Sequence, residues 1–427
     1  MAVSLHADPH LPPSVDPAGY PAENAAEIRL GQLLFYDPIL SGNRNISCAT
    51  CHHPAFGTSD GLALGLGEGG RGLGPARRAD PANLPEQRIP RNSPALFNLG
   101  HTEFTVLFHD GRIETRADGT LRTPLGEDMT QGFASLLSAQ TMFPVLSPDE
   151  MAGHYGENEI SKAVRTGRMT GAGGAWDLIS KRVATIPAYA DAFRLYPHID
   201  APEDIAFTDI SNAIAAFIAF EWRSDTSPFD AHLRGEAPLT GQAADGMALF
   251  YSGLGCAACH SGPFQTDHGF HAMGTPQIGP GKAARFETHA RDEGRLRVTG
   301  DPADAYAFRT PSLRNVTRTG PWGHAGAHDD LGAFLVDHLD PAGAPARFAA
   351  APQVRLPPLD VDDHRIAEDP SETAAIAAAV TTPSRTLTEA DRDALLAFLT
   401  ALEDQAALKG RLGIPDTVPS GLSIDRP

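Results

Sequence analysis

All four cysteines of the chain fall in two copies of one short pattern. The copies are Cys48-Ala-Thr-Cys51-His52 and Cys256-Ala-Ala-Cys259-His260. Two thiols at this spacing can add to the two vinyl groups of one porphyrin, and the histidine that follows offers its imidazole to the iron. Cys-x-x-Cys-His is the attachment signature of c-type haem. The sequence therefore predicts two covalently bound haem c groups.

A zinc ribbon or a redox-active dithiol could also use two Cys-x-x-Cys pairs. A zinc ion would have to bridge pairs in opposite halves of the chain. Both alternatives leave unexplained why a histidine follows each pair, although histidine accounts for only 17 of 427 residues. The haem interpretation is therefore favoured, and it leaves no cysteine for a structural disulfide.

Composition limits the class of protein further. Apolar residues make up 41% of the chain, which is enough to build a core and excludes a disordered protein. The formal net charge of −19 argues against a nucleic-acid groove and favours a partner with a basic surface. The most apolar stretch, residues 213–220, is too short for a membrane span.

Covalent haem attachment takes place outside the bacterial plasma membrane, so we expect a periplasmic protein. The chain nevertheless begins Met-Ala-Val-Ser-Leu-His-Ala-Asp, without the basic and apolar regions of an export signal. We interpret the sequence as a mature chain whose signal has been removed, with a misassigned start as the alternative.

A weak internal repeat surrounds the two motifs. The segment 30–36, Leu-Gly-Gln-Leu-Leu-Phe-Tyr, resembles 245–251, Asp-Gly-Met-Ala-Leu-Phe-Tyr, and each precedes one Cys-x-x-Cys-His. Repeated units favour two related domains. We predict an N-terminal haem domain at residues 20–235 and a C-terminal haem domain at residues 236–427.

Helical periodicity dominates the remaining sequence, and alternation typical of strands is almost absent. We expect a linker or domain boundary at 223–238. The sequence predicts a mainly α fold of two cytochrome c-like domains, with long irregular loops rich in glycine and proline. The predicted helices cover residues 22–34, 157–166, 204–222, 240–250 and 372–380, and a last one follows a capping box at Thr388 and ends at Ala401.

Several further segments, in a fixed order around the two motifs, resemble the bacterial diheme cytochrome c peroxidase and MauG family. The resemblance covers most of the chain. It implies a peroxidase that reduces hydrogen peroxide to water at the first haem, with electrons that enter at the second haem from a small cytochrome c or copper protein. The segments are Leu40–Gly42, Pro90–Asn98, Phe108–Arg112, Ile214–Phe217, Ser227–Asp230, Thr310–Asn315 and Gly320–Gly326.

The resemblance also assigns residues to the open face of the first haem. Gln140 and Glu150 match the family's glutamine and its catalytic glutamate. A carboxylate there can take the proton of the bound peroxide and return it to the departing oxygen. From the residues alone, Glu150 could instead begin a helix after Pro148, and Asp149 is the second candidate for the acid.

Some members of the family block the first haem with a loop histidine and must be reduced before they work. This chain has no histidine between Pro54 and Gly100, and His53 is too close to the ligand His52 to reach across the porphyrin. We therefore expect a first haem that is open to peroxide.

The second haem is expected to be six-coordinate. The family places its distal ligand, a methionine or tyrosine, fourteen residues after the position of His324, where this chain has His338. His328 is the alternative ligand. Two histidines would lower the reduction potential relative to a histidine and methionine pair.

One departure from the family concerns the residue between the haems. His109 stands where the family usually has a tryptophan, and an imidazole relays an oxidising equivalent less readily than an indole. Trp322 is the residue best placed in the sequence to compensate, although packing is its simpler role. The departure weakens the alternative of a MauG-like enzyme that oxidises a residue of a partner protein. A non-catalytic diheme electron carrier is the other alternative.

The resemblance implies two further features. A calcium ion would be held by Asn92, Thr319 and Pro321, the last two through their backbone carbonyls, since oxygen ligands suit calcium. Members of the family often form homodimers.

Overall fold

The structure, a computed structural model, describes residues 11–126, 130–283, 287–352, 354 and 356–427. Backbone contacts divide the chain into two compact units. The N-terminal unit comprises Gly19–Arg223, Leu356–Val361 and Gly410–Pro427. The C-terminal unit comprises Ser224–Arg355 and Asp362–Lys409, together with the described part of Met1–Ala18.

The N-terminal unit is built from short helices joined by long loops. Its described helices are α1 (Ala25–Tyr36), α2 (Cys48–Cys51), α3 (Leu136–Gln140), α4 (Glu159–Arg165), α5 (Ala175–Ala184), α6 (Pro187–Phe193) and α7 (Phe207–Glu221). Its strands are β1 (Gly70–Arg71), β2 (Arg78–Ala79), β3 (Val106–Leu107), β4 (Ile113–Thr115) and β5 (Leu121–Arg122). They form two small antiparallel sheets, β1–β2 and β3–β4–β5.

The C-terminal unit has the same character. Its described helices are α8 (Pro228–Leu233), α9 (Gln242–Ala248), α10 (Leu296–Thr299), α11 (Leu331–Leu339), α12 (Ala344–Ala350), α13 (Pro370–Ala378), α14 (Glu389–Thr400) and α15 (Gln405–Lys409). Its strands β6 (Phe270–His271) and β7 (Phe308–Arg309) pair antiparallel. This helix-rich architecture agrees with the expected mainly α class. Over the described residues, no helix combines the length and the apolar character that crossing a bilayer requires.

The internal repeat of the sequence corresponds to one helix crossing in each unit. Helix α1 packs on α7, and α9 packs on α14. A Cβ added to Gly31 would lie 1.8 Å from the carbonyl oxygen of Ala213, and one added to Gly246 would lie 1.9 Å from that of Ala394. Glycine is therefore required at both positions, because only a residue without a side chain lets the two backbones approach so closely.

Equivalent aromatic residues fill both crossings. Phe35 lies 5.4 Å from Phe217 and 5.1 Å from Trp222 between ring centroids, and Phe250 lies 5.1 Å from Phe398. Burial of these large side chains stabilises each crossing by several kcal/mol, at about 1.5–3 kcal/mol for each fully buried ring. The haem motif of each unit follows the first helix of its crossing.

A second structural repeat follows each haem motif. The backbone N–H of Asn98 donates to the carbonyl of Trp222 (3.0 Å), and that of Asn315 donates to the carbonyl of Leu402 (3.3 Å). Both asparagines have left-handed backbone conformations, with φ of 63° and 59°. Each asparagine thus ties a loop after the haem motif to the end of the second helix of the crossing.

The predicted helices are present, with shifted ends. Helix α1 begins at Ala25 because the side chain of Asn24 accepts hydrogen bonds from the N–H groups of Ala26 and Glu27. At α14, Thr388 and Asp391 form the predicted capping box. Helices α5, α6 and α12 were not among the predicted helices.

Of the two expectations for 223–238, a linker or a domain boundary, the boundary between the compact units falls at the start of the segment, but the segment is not a linker. Helix α8 occupies the middle of this segment, with Phe229 and Asp230 fully buried. Asp230 forms an ion pair of 2.6 Å with the equally buried Arg314, and Asp404 accepts hydrogen bonds from the N–H groups of Asp225 and Thr226. These contacts make the segment part of the C-terminal unit.

Because of these contacts, the compact units divide after Arg223 rather than after residue 235. Two later segments also belong to the N-terminal unit. Glu221 accepts hydrogen bonds from the N–H groups of Leu412 and Gly413, and buried Asp37 binds the Ser420 hydroxyl at 2.6 Å. The haem-domain limits 20–235 and 236–427 stay predictions.

Candidate active site

The first haem motif presents an oriented imidazole. Helix α2 carries both cysteines, and the chain then turns so that Nδ1 of His52 lies 3.1 Å from the carbonyl oxygen of Thr58. The Ser93 hydroxyl lies 3.3 Å from the same nitrogen and donates to the carbonyl of Cys51. Since a carbonyl only accepts, Nδ1 carries the proton and Nε2 has the lone pair that a metal requires.

The second haem motif repeats this arrangement. A short 3₁₀ turn, Cys256–Ala258, carries the first cysteine, and Nδ1 of His260 lies 3.0 Å from the carbonyl oxygen of Gln265. Burial lowers the pKa of both His52 and His260. Both imidazoles are therefore favoured in the neutral form that coordinates iron.

The cysteine pairs do not assemble into one cluster of ligands. Burial raises the pKa of Cys48 and Cys51 to about 12. Among the described residues, the side chains of Cys259, Asp267 and His271 are the one group of three or more metal-ligating side chains that converge. That group contains a single cysteine, whereas a zinc ribbon brings two Cys-x-x-Cys pairs to one ion.

The structure brings His338 to His260. His338 lies on α11, and the centroids of the two rings are 6.0 Å apart. Two metal–nitrogen bonds of about 2 Å each, on opposite sides of one ion, give about this ring separation. Burial, with smaller contributions from His260 and His328, lowers the pKa of His338 to about 4, which keeps it neutral. The pair fits one haem iron.

The alternative residues near this pair have other contacts. Nε2 of His328 lies 2.8 Å from a carboxylate oxygen of Asp337, which also pairs with Arg347. The indole N–H of Trp322 donates to the carbonyl of Val316 at 2.9 Å. His328 is thus held by an acidic partner, and Trp322 is fixed in a packing position.

Gln140 and Glu150 lie in the N-terminal unit with the first haem motif. Gln140 ends α3, and its side-chain oxygen is buried without a hydrogen-bond partner among the described residues. Buried polar atoms are nearly always paired, so this oxygen fits a site that a ligand completes.

Glu150 occupies a one-turn π-helix, Pro148–Ala152. Its charge is close enough to Cys51 to add to the burial that raises the pKa of that thiol. Its neighbour Asp149 instead accepts a hydrogen bond from the amide of Gln87 (2.7 Å) at an exposed position. Of the two candidate acids, Glu150 and not Asp149 is among the charges that raise the pKa of Cys51 in the haem motif.

The Phe108–Arg112 segment contacts Phe143, which follows Gln140 closely in the sequence. Asp110 pairs with Arg91 at 2.8 Å and with Arg112 at 3.3 Å. The Arg112 guanidinium lies 3.8 Å from the centroid of the Phe108 ring, which contacts Phe143 three residues beyond Gln140. Glu150 is among the charges that act on the pKa of Arg112, although burial, which lowers it, is the largest cause. A partly buried cation, with 22% of its side chain exposed, therefore accompanies the candidate acid.

His109 and Asn92 are joined to each other. Nε2 of His109 lies 3.2 Å from the carbonyl oxygen of Asn92, so this nitrogen donates the hydrogen bond. The Asn92 amide group in turn donates to the carbonyls of Leu62 and Ala63. The side-chain nitrogen and the backbone carbonyl of Asn92 are thus engaged, so its side-chain oxygen is the atom that could bind the predicted calcium ion. The other predicted calcium ligands, Thr319 and Pro321, belong to the C-terminal unit.

Sequence reasoning missed three buried charged residues in the glycine-rich loop after the first motif. Asp60, Glu68 and Arg77 are at most 3% exposed. Their charge within a loop dominated by glycine and apolar residues was a signal, although the exposed Arg71 of the same loop shares it. Burial raises the pKa of Asp60 to about 7, and its carboxylate accepts a hydrogen bond from the Leu62 N–H.

The raised pKa of Asp60 predicts a pH-dependent stability. Between pH 4 and 7 the unfolded chain loses this proton while the folded chain retains it, so the free energy of unfolding falls as pH rises. Asp60→Asn removes this dependence. From pH 4 to pH 8 we expect the stability of the variant relative to wild type to rise by about 4 kcal/mol. Thermal unfolding across this range measures it, and a pH-independent difference would contradict it.

Two haem-attachment motifs, each with an oriented imidazole, define the class of the chain as a diheme c-type cytochrome. A family model described as di-haem cytochrome c peroxidase matches residues 25–238. The methylamine utilization protein MauG of Methylorubrum extorquens is 31% identical over 321 residues, covering 74% of this chain and 69% of MauG. The cytochrome c551 peroxidase of Pseudomonas aeruginosa is 29% identical, covering 70% and 67%.

Solved structures show the same fold. The diheme peroxidase BthA of Burkholderia thailandensis aligns with a TM-score of 0.61 at 23% identity, covering 97% of this chain and 94% of BthA. A MauG-like protein associated with microbial copper homeostasis aligns with a TM-score of 0.55. The chain belongs to the di-haem cytochrome c peroxidase family, and it is an oxidoreductase with two haem c groups.

Proposed function

We propose that the chain is a periplasmic peroxidase that reduces hydrogen peroxide to water with electrons from a small redox protein. His52 would be the protein ligand of the peroxidatic haem iron, and His260 and His338 those of the electron-transfer haem iron. Haem c is attached outside the bacterial plasma membrane, which supports a periplasmic location. The net charge of −19 favours a cytochrome c or copper protein with a basic surface as the donor.

The observation that carries this proposal is the unpaired, buried side-chain oxygen of Gln140, in the same unit as Glu150 and the Cys48–His52 motif. A peroxide-binding site needs an acceptor for the peroxide hydrogen and a group that transfers protons.

When bound, the first haem supplies the iron at which peroxide is reduced. The carboxylate of Glu150 would take the proton from the oxygen that approaches the iron and would return it to the departing oxygen, which leaves as water. The amide oxygen of Gln140 would accept a hydrogen bond from the peroxide and so orient it.

The histidines support an open first haem and a six-coordinate second haem. No histidine lies between Pro54 and Gly100, so no loop imidazole competes with peroxide at the first haem. At the second haem, the 6.0 Å spacing of the His260 and His338 rings supports coordination by both imidazoles. A calcium ion held by Asn92, Thr319 and Pro321 and assembly as a homodimer complete the proposal.

The relatives include both MauG and cytochrome c peroxidases at similar identity, so identity alone does not separate their activities. The residue at position 109 favours the peroxidase. Nε2 of His109 donates to a backbone carbonyl, which makes it a structural hydrogen-bond donor in place of an indole. Oxidation of a partner protein at a distance would need a residue that readily relays an oxidising equivalent.

The proposal is tested by mixing the diferric protein with one equivalent of hydrogen peroxide and following the haem spectrum. A reduced small cytochrome c is then added. We expect rapid loss of the high-spin ferric signal, then catalytic oxidation of the cytochrome. A long-lived oxidised species that ignores the cytochrome would favour oxidation of a protein substrate. A first haem without a high-spin signal and without reaction would identify an electron carrier.

A further inference from the structure

The glycine-rich loop after the first haem motif lies directly against the turn that carries Glu150. We call residues 65–72 the backing segment. A Cβ added to Gly67 would lie 2.2 Å from the carbonyl oxygen of Asp149 and 2.8 Å from the Cα of Glu150. The N–H of Glu68 donates to the same Asp149 carbonyl at 2.9 Å. The backing segment and the Glu150 turn are thus in backbone-to-backbone contact.

Arg77 holds the backing segment from one side. Its guanidinium is 97% buried and donates to three carbonyls of the segment. Nη2 binds Gly67 at 2.8 Å, Nη1 binds Gly72 at 2.6 Å and Nε binds Leu66. A planar guanidinium fixes the relative positions of its acceptors more tightly than a flexible ammonium group does. The carbonyl of Gly67 is therefore held in place at the residue that touches Glu150.

Glu68 holds the segment from another side. Its side chain is 99% buried, and Oε1 accepts hydrogen bonds from the amide groups of Asn45 (2.9 Å) and Asn83 (3.1 Å). The same oxygen accepts from the N–H of Gly69 at 3.2 Å. Burial of a carboxylate is costly, and these three donors offset the cost only while the segment keeps this conformation.

We propose that Gly67, Glu68 and Arg77 are positioning residues that fix the backbone of Glu150 relative to the first haem. The inference rests on the proposed role of Glu150 as the proton-transfer group. None of the three residues needs to touch peroxide, since they act through the Asp149–Glu150 backbone. The chain therefore holds its acid in a preformed position.

The physical argument is one of distance. A proton-transfer group works within hydrogen-bond reach of its substrate, and a displacement of about 1 Å can cost about 100-fold in rate. The contact at Gly67 leaves no space for even one methyl group. Any side chain there must move either the backing segment, which Arg77 and Glu68 hold, or the Glu150 turn.

The test compares two glycine-to-alanine variants of the holoprotein. In Gly67→Ala, the added methyl group would displace the Glu150 turn. In Gly100→Ala, it would meet Ala219 of α7 at the same closest distance of 2.2 Å. Both variants should lose thermal stability. Only Gly67→Ala should slow the reaction of the diferric protein with peroxide, by about 10- to 100-fold.

A second pair of variants separates the loss of the Glu68 hydrogen bonds from general misfolding. Glu68→Gln keeps an oxygen acceptor for Asn45, Asn83 and Gly69, whereas Glu68→Ala removes it. Amide hydrogen exchange at Met151 and Ala152, whose N–H groups bond to Ser147, reports the order of the turn without reference to turnover. We expect faster exchange and a slower peroxide reaction in Glu68→Ala, and recovery of both in Glu68→Gln.

The inference is overturned if Gly67→Ala reacts with peroxide as fast as wild type, or if Gly100→Ala slows the reaction equally. It is also overturned if exchange at the turn is unchanged in both Gly67→Ala and Glu68→Ala. A normal peroxide reaction in Glu150→Gln would instead remove the proposed role of Glu150. Faster exchange in Gly67→Ala would then still establish the structural contact, so the two failures are distinguishable.

Discussion

Glu150→Gln is expected to slow the reaction of the diferric protein with hydrogen peroxide by about 10²- to 10⁴-fold, the usual contribution of a positioned proton-transfer group. The amide retains the size and one acceptor oxygen of the carboxylate but cannot take a proton near neutral pH. Stopped-flow spectroscopy under pseudo-first-order conditions gives the second-order rate constant. The haem content and the ferric spectrum should match those of wild type.

The matched comparison is Asp149→Asn, one residue earlier in the same turn. The carboxylate of Asp149 accepts a hydrogen bond from Gln87 at an exposed position, and its amide can still accept that bond. We expect this variant to react with peroxide at nearly the wild-type rate. A large loss in Asp149→Asn with little loss in Glu150→Gln would assign the proton transfer to Asp149.

The haem motifs and the internal repeat could be predicted from the sequence because their chemistry is local. Two cysteines and a histidine within five positions are adjacent in any fold, so their spacing alone indicates the porphyrin. The glycines of the two repeats, Gly31 and Gly246, were recognisable from the aligned segments. The structure adds why they are glycine, since each touches the backbone of a helix far away in sequence.

The residues whose buried contacts hold the candidate site and the fold in place could not be predicted in the same way. Arg77 binds carbonyls of its own loop, yet nothing in the local pattern separates it from the exposed Arg78 beside it. Asp230 and Arg314 are 84 positions apart, and their buried ion pair converts an expected linker into a helix of the C-terminal unit. Such pairings depend on long-range packing, which periodicity does not encode.

For the second ligand of the second haem, the family spacing and the structure favour the same residue, His338. The family register indicated position 338, but a lone histidine on a helix is ordinarily a surface residue. The packing of α11 gives the 6.0 Å distance between the His338 and His260 rings, and His328 lies against Asp337. Neither distance follows from the sequence. Together they favour His338 over His328 as the ligand.

His338→Met is therefore expected to raise the reduction potential of the second haem, by on the order of 100 mV, because a thioether stabilises ferrous iron relative to an imidazole. At 59 mV per tenfold change for one electron, this is about a 50-fold shift in the redox equilibrium. Spectroelectrochemical titration measures the potential. His338→Ala should leave the second haem five-coordinate and convert its low-spin ferric signal to high spin.

The control for this prediction is His328→Gln, which keeps a hydrogen-bond donor for Asp337 and removes the competing imidazole. The second haem should stay low-spin in this variant, with a potential close to that of wild type. Conversion to high spin in His328→Gln, with an unchanged spectrum in His338→Ala, would assign the ligand to His328. If electrons reach the first haem through the second, as the proposed function has it, His338→Met should also slow turnover with a cytochrome donor while the diferric protein reacts normally with peroxide. Equal slowing of both reactions would contradict a role of His338 in electron delivery alone.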